Sequence, residues 1–236
     1  MPHHLPIDTS LDFRSESGGR DPDRYSPTLR EYHRRLWSKP LPGGHLFTLE
    51  DRYPKGYLRH ESDLGVFRLS SDTIIRTFKN HVGMRPVIRA IPPEEQEEFS
   101  RLGYTIGGMI VFPSNRIDGK HTINQARGMS GRIGDRFDLT LESIRRYYDG
   151  GDSPIGEALA RYSDFFALFE SFVGYVDFFL LQDLVADDYR SVRFFAPFED
   201  FAQSPLISTV GDYVSYRSKT IDFVRARNAR IAASGS

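Results

Sequence analysis

Apolar residues fall along this chain in short bursts, and one burst stands apart. The run from Tyr162 to Val185, YSDFFALFESFVGYVDFFLLQDLV, is the most apolar and aromatic stretch, and it carries acids at Asp164, Glu170, Asp177 and Asp183. Its length suggests a membrane span, but a carboxylate near a bilayer centre costs ~2.5–3.5 kcal/mol. Several of them cancel the gain from the phenylalanines, so the pattern predicts a helix buried inside a protein. Helical spacing puts Glu170, Gly174, Asp177 and Leu181 on one stripe. An unpaired buried carboxylate is expensive, so Glu170 or Asp177 is expected to touch an arginine or a hydroxyl.

Elsewhere the pattern is broken by Pro and Gly. Residues 1–25 are polar and rich in Gly, Asp, Ser and Pro, which predicts an irregular arm; His3 and His4 sit in it and make poor ligands. Ser26 followed by Pro27 marks a helix start, with the helix running Thr28 to Trp37. HLFTLE, YLRHE and GVFRLS (45–50, 57–61, 65–70) read as short strands. Ser71 or Asp72 would cap a helix through Phe78, and Pro92-Pro93 opens one ending near Gly103. YTIGGMIVF (104–112) is the clearest buried strand, its two glycines implying a bulge or a close backbone approach. Thr122 caps a short helix to Arg127, Asp135 caps the helix DRFDLTLESIRRYY, and Ser153-Pro154 starts another. An amphipathic helix from about Thr209 to Arg230 precedes a frayed tail.

Strands in the first half and helices in the second point to an α+β fold: a small N-terminal β-rich part packed on a C-terminal helical bundle. Residues 26–232 are expected to form a single globular α+β domain, the length being enough to bury a sizeable core. A net charge of −1 gives no global pull toward nucleic acid or membrane. With no cysteine there is no disulfide, thiolate zinc site or cysteine nucleophile. That composition fits a reducing cytosol, and the N-terminus lacks the basic and apolar regions of a secretory signal. A cytoplasmic chain with no membrane partner is therefore expected.

Candidate chemistry concentrates after the buried strand. Asn115, Arg116, Lys120, His121, Asn124, Gln125, Arg127, Arg132 and Arg136 are opposed only by Asp118 and Asp135. A strand feeding a polar loop and then a helix is a common way to present side chains to a ligand. Arginine forks and asparagine amides suit phosphate or carboxylate oxygens. The expected ligand site is Asn115, Arg116, Lys120, Asn124, Arg127 and Arg136, backed by Asp177, and the expected ligand is a nucleotide, RNA or an acidic metabolite. The competing reading is that Arg127, Arg132 and Arg136 neutralise the acids of the aromatic helix.

The remaining features have plain readings. Gly128, Gly131 and Gly134 have a cradle-like spacing, but a carboxylate at Asp135 would repel an anion there, so a flexible connection is expected. Asp138, Glu142, Arg145 and Arg146 are spaced as a solvated ladder, and Trp37 as a core anchor. Arg76 and His81 match the R-x4-H spacing of some ribonuclease toxins. No metal-spaced histidine pair, Walker loop or G-x-S-x-G appears. Cofactors and catalytic residues stay unassigned. A toxin-like or defence-related enzyme acting on nucleotide or RNA is the first alternative, and a non-catalytic oligomeric interaction protein, with a homo-oligomer among its forms, is the second.

Four phrases carry a resemblance: SPTLREYHRRLWSKPLPGG (26–44), YTIGGMIVFPSNRIDGKHTINQARG (104–128), DRFDLTLESIRRYY (135–148) and the aromatic run. They resemble an uncharacterised bacterial family, a domain of unknown function, over residues 8 to about 201. The resemblance implies a bacterial, cytosolic protein and brings no activity. The stretch beyond about 205 is expected to lie outside it.

Overall fold

The computed structural model describes residues 6–52 and 55–234; His3, His4 and the last two residues of the tail lie outside them. Ser26 does what its sequence context implies. Its hydroxyl accepts from the Leu29 N–H, Pro27 occupies the first helical position, and helix α3 spans Pro27–Trp37. Ahead of it, the segment expected as an irregular arm carries two short helices, α1 (Phe13–Glu16) and α2 (Pro22–Tyr25), capped by Asp12 and Asp21. Phe13 is fully buried, stacks edge-on against Tyr32 and bonds through its N–H to the Tyr104 carbonyl. That buried ring is what fastens the segment down.

Three strands form one antiparallel sheet in the order β1 (Leu58–Ser62), β2 (Gly65–Thr73), β3 (Met109–Pro113). HLFTLE contributes only isolated bridges, Pro40 to Leu46 and Glu50 to Arg59. Strand β2 runs through Thr73, so no helix starts at Ser71 or Asp72; their side chains are bound to other elements instead. Helices α4 (Arg85–Arg89) and α5 (Pro93–Gly103) connect β2 to β3. The buried strand begins at Met109 rather than Tyr104, because residues 106–108 form a tight turn. A Cβ on Gly107 would lie 2.4 Å from Asn228 Oδ1, and one on Gly108 would lie 2.5 Å from the Leu102 carbonyl. The two glycines permit that close approach.

Thr122 and Gln125 form a reciprocal capping box that starts α6 (Ile123–Met129). Helix α7 (Phe137–Tyr148) starts one residue later than expected, and Asp135 does not cap it. Asp135 has φ 62° and turns its carboxylate toward Arg76 and Arg127. Two guanidinium partners outcompete a helix N-terminus for that charge. In α7, Glu142 binds Arg145 and Arg146, but Asp138 belongs to Arg136, and both acids are buried. The expected solvated ladder is thus partly a core feature.

The aromatic run is not one helix. After α8 (Gly156–Arg161), it folds into α9 (Ser163–Ala167) and α10 (Phe172–Phe178), with reversals at Glu170 (φ 62°) and Leu180 (φ 56°). At helical spacing its rings would wrap more than half of the circumference, and a straight rod could not bury them all. Folding the segment back lets Phe165, Phe166, Phe169, Tyr175, Phe178 and Phe179 converge, with Trp37 and Phe47 on the same cluster. Asp164, Glu170 and Asp177 stay on the exposed surface. Their expected buried partners are therefore unnecessary. Asp177 does accept from a hydroxyl, Tyr189 at 2.8 Å, and from Gln182, while Asp183 pairs with Arg230.

Helix α11 (Val210–Ser234) closes the molecule. Arg227 is fully buried and donates to the carbonyls of Phe179, Gly107 and Met109. Asn228 accepts from Gly107 N–H at 2.8 Å. These bonds tie the last helix to the sheet's start and to the aromatic cluster. No described helix is long and apolar enough to cross a membrane.

Candidate functional site

Strand β2 presents alternate residues to opposite faces, and polar chemistry gathers on both. Toward the outside lie Arg68, Ser70 and Asp72. The loop after β3 is pinned against this edge. Ser114 N–H donates to the Arg68 carbonyl at 2.7 Å, and Arg68 N–H donates to Asn115 Oδ1 at 3.3 Å. Tyr162 hydroxyl donates to the Asn115 carbonyl at 2.9 Å, and Arg161 donates to the His121 carbonyl at 2.9 Å. The loop is thus held at both ends, by β2 and by the start of the aromatic segment.

On this loop Arg116 and Lys120 are exposed, as is Arg68 beside it. Among the described residues none of the three is in an ion pair with a carboxylate. Arg161 is spent on two backbone carbonyls, of Glu157 and His121. Asp118, at φ 52°, is the loop's own opposing acid. Asn124 donates to Ser70 Oγ at 3.2 Å, and its buried Oδ1 has no partner among the described residues. Such an orphaned acceptor suits a donor on a ligand.

The other expected site residues are elsewhere. Arg127 is fully buried and donates to Asp72 at 2.8 Å, Thr140 at 3.1 Å and the Asp135 carbonyl. Burial pushes the Asp72 carboxyl up, with Arg127 opposing and Asp135 adding to the rise. Arg136 is buried on Asp138 and also reaches the Ala196 and Pro205 carbonyls. Both arginines neutralise acids, but those acids are Asp72, Asp135 and Asp138, not the aromatic segment's. Arg132 is exposed. Asp177, bonded to Gln182 and Tyr189, touches none of the loop residues. The structure therefore brings together Asn115, Arg116, Lys120 and Asn124 along the β2 edge. It separates Arg127, Arg136 and Asp177 from them.

The inner face of β2 carries a buried chain of hydrogen bonds. Trp37 Nε1 donates to His33 Nδ1 at 3.0 Å, His33 Nε2 lies 2.7 Å from Ser71 Oγ, and Ser71 Oγ lies 2.5 Å from Asp23 Oδ1. An indole N–H can only donate, so His33 Nδ1 accepts and the neutral ring carries its proton on Nε2. That proton points at Ser71, whose hydroxyl then donates to Asp23. Burial lowers the His33 ring to about 3, helped by Arg227, so it stays neutral. The constellation contains the residue types of a nucleophilic triad with the opposite polarity, since His33 cannot take the Ser71 proton. Burial also raises Asp23 to about 7, against the pull of its Ser71 bonds and with Asp21 and Asp72 adding to it. Its side chain is 9 % exposed as a residue, so these groups form a structural strut. No sequence motif signals it, because the members come from three separate elements.

The fold defines an α+β protein built on a small antiparallel sheet, with a basic loop pinned beside its central strand. Within that class, the chain belongs to the Family of unknown function (DUF6994), whose model matches residues 7–231. The match takes in most of α11, which had been expected to lie outside it. The contacts of Arg227 and Asn228 give the physical reason, because α11 completes the core. No curated protein and no solved structure matches the chain.

Proposed function

We propose that this protein binds an anionic ligand, a nucleotide, RNA or an acidic metabolite, along the loop 114–121 and the neighbouring edge of β2. The observation that carries the reading is three exposed cations without carboxylate partners among the described residues: Arg116 and Lys120 on a loop whose backbone is fixed at both ends, and Arg68 on the strand beside it. A pinned loop holds its charges in place before the ligand arrives, which lowers the ordering cost of binding. The free Asn124 acceptor favours a ligand with a hydroxyl or amino donor besides its charge, as nucleotides and RNA have. Bacterial origin and a cytoplasmic location belong to the same proposal, the second in keeping with the cysteine-free chain.

The test is fluorescence anisotropy with a labelled single-stranded RNA, competed by ATP and by pyrophosphate. Arg116→Ala and Lys120→Ala should each weaken RNA binding and lower the slope of log affinity against log salt by about 1. Arg132→Ala, on the exposed turn before α7, should leave both unchanged. Unaltered affinity in the first two variants overturns the proposal. A non-catalytic assembly draws its support from Val210 and Val214, 40 % and 47 % exposed one turn apart on α11. Light scattering that finds a dimer abolished by Val214→Glu would favour it.

A further inference from the structure

A second, unrelated cavity opens beside the β1–β2 hairpin. Its volume is about 520 Å³, and its lining includes Leu46, His60, Ser62, Asp63, Leu64 and Glu170. Its rim is apolar, with Leu46 61 % and Leu64 44 % exposed. Its floor is not. His60 and Ser62 lie on one face of β1, and both carry a buried polar atom without a partner among the described residues, His60 Nε2 and Ser62 Oγ.

The chemistry of His60 Nε2 follows from its neighbours. His60 Nδ1 sits 3.1 Å from the Thr48 carbonyl, which can only accept, so Nδ1 holds the ring proton. The ring is 1 % exposed and stacked on Phe47 at 4.1 Å between centroids, with the Phe67 ring near parallel to it at 6.3 Å. Burial lowers its pKa, the Thr48 bond opposing. In this neutral tautomer, Nε2 offers a fixed, dehydrated lone pair. An acceptor left unsatisfied in a protein interior costs free energy unless something donates to it.

Charge sets what that something is. No lysine or arginine lines the cavity. Glu61 is compensated by Arg52 and Arg59, but Asp63 and Glu170 have no ion-pair partner among the described residues. Glu170 is also held in a left-handed conformation at φ 62°, rare for a residue with a Cβ. A Cβ on Gly43 would lie 2.9 Å from Glu170 Oε1, so the glycine leaves room for that carboxylate at the cavity mouth.

We propose that this cavity is a binding site for a small molecule carrying a protonated primary amine on an apolar body. The ammonium donates to His60 Nε2 and sits near the Glu170 and Asp63 carboxylates, with Ser62 Oγ as a further acceptor. The apolar body covers Leu41, Leu46, Leu64 and Leu168. The site is distinct from the basic loop and selects the opposite charge.

The experiment titrates phenylalkylamines of increasing chain length into the chain labelled with ¹⁵N-histidine. The His60 Nε2 resonance should move upfield in a saturable way as it accepts a hydrogen bond. Affinity should fall about tenfold in Glu170→Gln, the scale of one charge-assisted hydrogen bond, and fall in Gly43→Ala, which displaces that carboxylate. Both positions are at the surface, so neither change removes core packing. The isosteric 3-phenylpropionate should bind far more weakly. A His60 resonance unmoved by every amine at millimolar concentration overturns the proposal, as does tight propionate binding or full affinity in Glu170→Gln.

Discussion

Asp23→Asn removes the proton-binding end of the chain that runs from Trp37 through His33 and Ser71, and its effect depends on pH. Asp23 lies almost out of solvent at 9 % exposure, and burial raises its carboxyl from 3.8 to about 7. Below about pH 4 the group is protonated in both folded and unfolded chains. As pH rises from there, the folded chain keeps a proton that the unfolded chain has released. Native stability therefore falls through this window and levels off once pH passes the folded value. A shift of about 3 units corresponds to about 4 kcal/mol in all at ~1.4 kcal/mol per unit. Of this, about 2 to 3 kcal/mol is lost between pH 5 and 8. Asparagine carries no charge to bury, so its stability lacks that slope. Its NH2 puts a donor where one carboxylate oxygen accepts, so one of the two bonds from the N–H and hydroxyl of Ser71, at 2.6 and 2.5 Å to separate oxygens, is lost. Urea unfolding of both proteins at pH 5 and pH 8 isolates the effect. The variant should be the less stable at pH 5 and should recover about 2 to 3 kcal/mol relative to wild type by pH 8. A difference that does not change with pH would refute the placement of a high-pKa carboxyl there.

Two further outcomes follow from the packing around α11. Arg227→Met leaves the carbonyls of Phe179, Gly107 and Met109 without their donor, and chemical denaturation should show a loss of about 3–5 kcal/mol; a loss under about 1 kcal/mol would mean those carbonyls find other donors. Gly107→Ala places a methyl 2.4 Å from Asn228 Oδ1 and 2.9 Å from the Val224 carbonyl, and should cost about 1–3 kcal/mol in the same assay. Gly131→Ala, with nothing within 4 Å, should stay within about 0.5 kcal/mol of wild type.

Local signals in the sequence translated directly into structure where a short stretch of chain decides the outcome. Ser26-Pro27, Thr122 with Gln125, and Pro92-Pro93 each start a helix where their capping chemistry places one. The Gly107-Gly108 pair marks a close approach whose partner, Asn228, lies far along the chain and leaves no local trace. The aromatic segment misled for a related reason. Its composition is a statement about burial, and burial there is reached by two reversals that need positive φ at Glu170 and Leu180, residues with no preference for it. Asp135 reads as a cap and is instead captured by Arg76 and Arg127, a competition set only by tertiary contacts. In the candidate site, the loop residues Asn115, Arg116, Lys120 and Asn124 were legible because they are contiguous. Arg127 and Arg136 share their composition and not their role, since Asp72 and Asp138 draw them inward. The Trp37–His33–Ser71–Asp23 strut and the His60 cavity could not be read from spacing at all, because their members meet across the sheet.

The proposal that the loop 114–121 binds an anion is most exposed to refutation by what the protein carries out of the cell. Untargeted mass spectrometry of small molecules and RNA released from the purified chain should find phosphate- or carboxylate-bearing species, and the Arg116→Ala/Lys120→Ala double variant should release markedly less of them. Identical profiles from the two proteins, or a wild-type profile with no anion above background, would contradict the assignment of that loop.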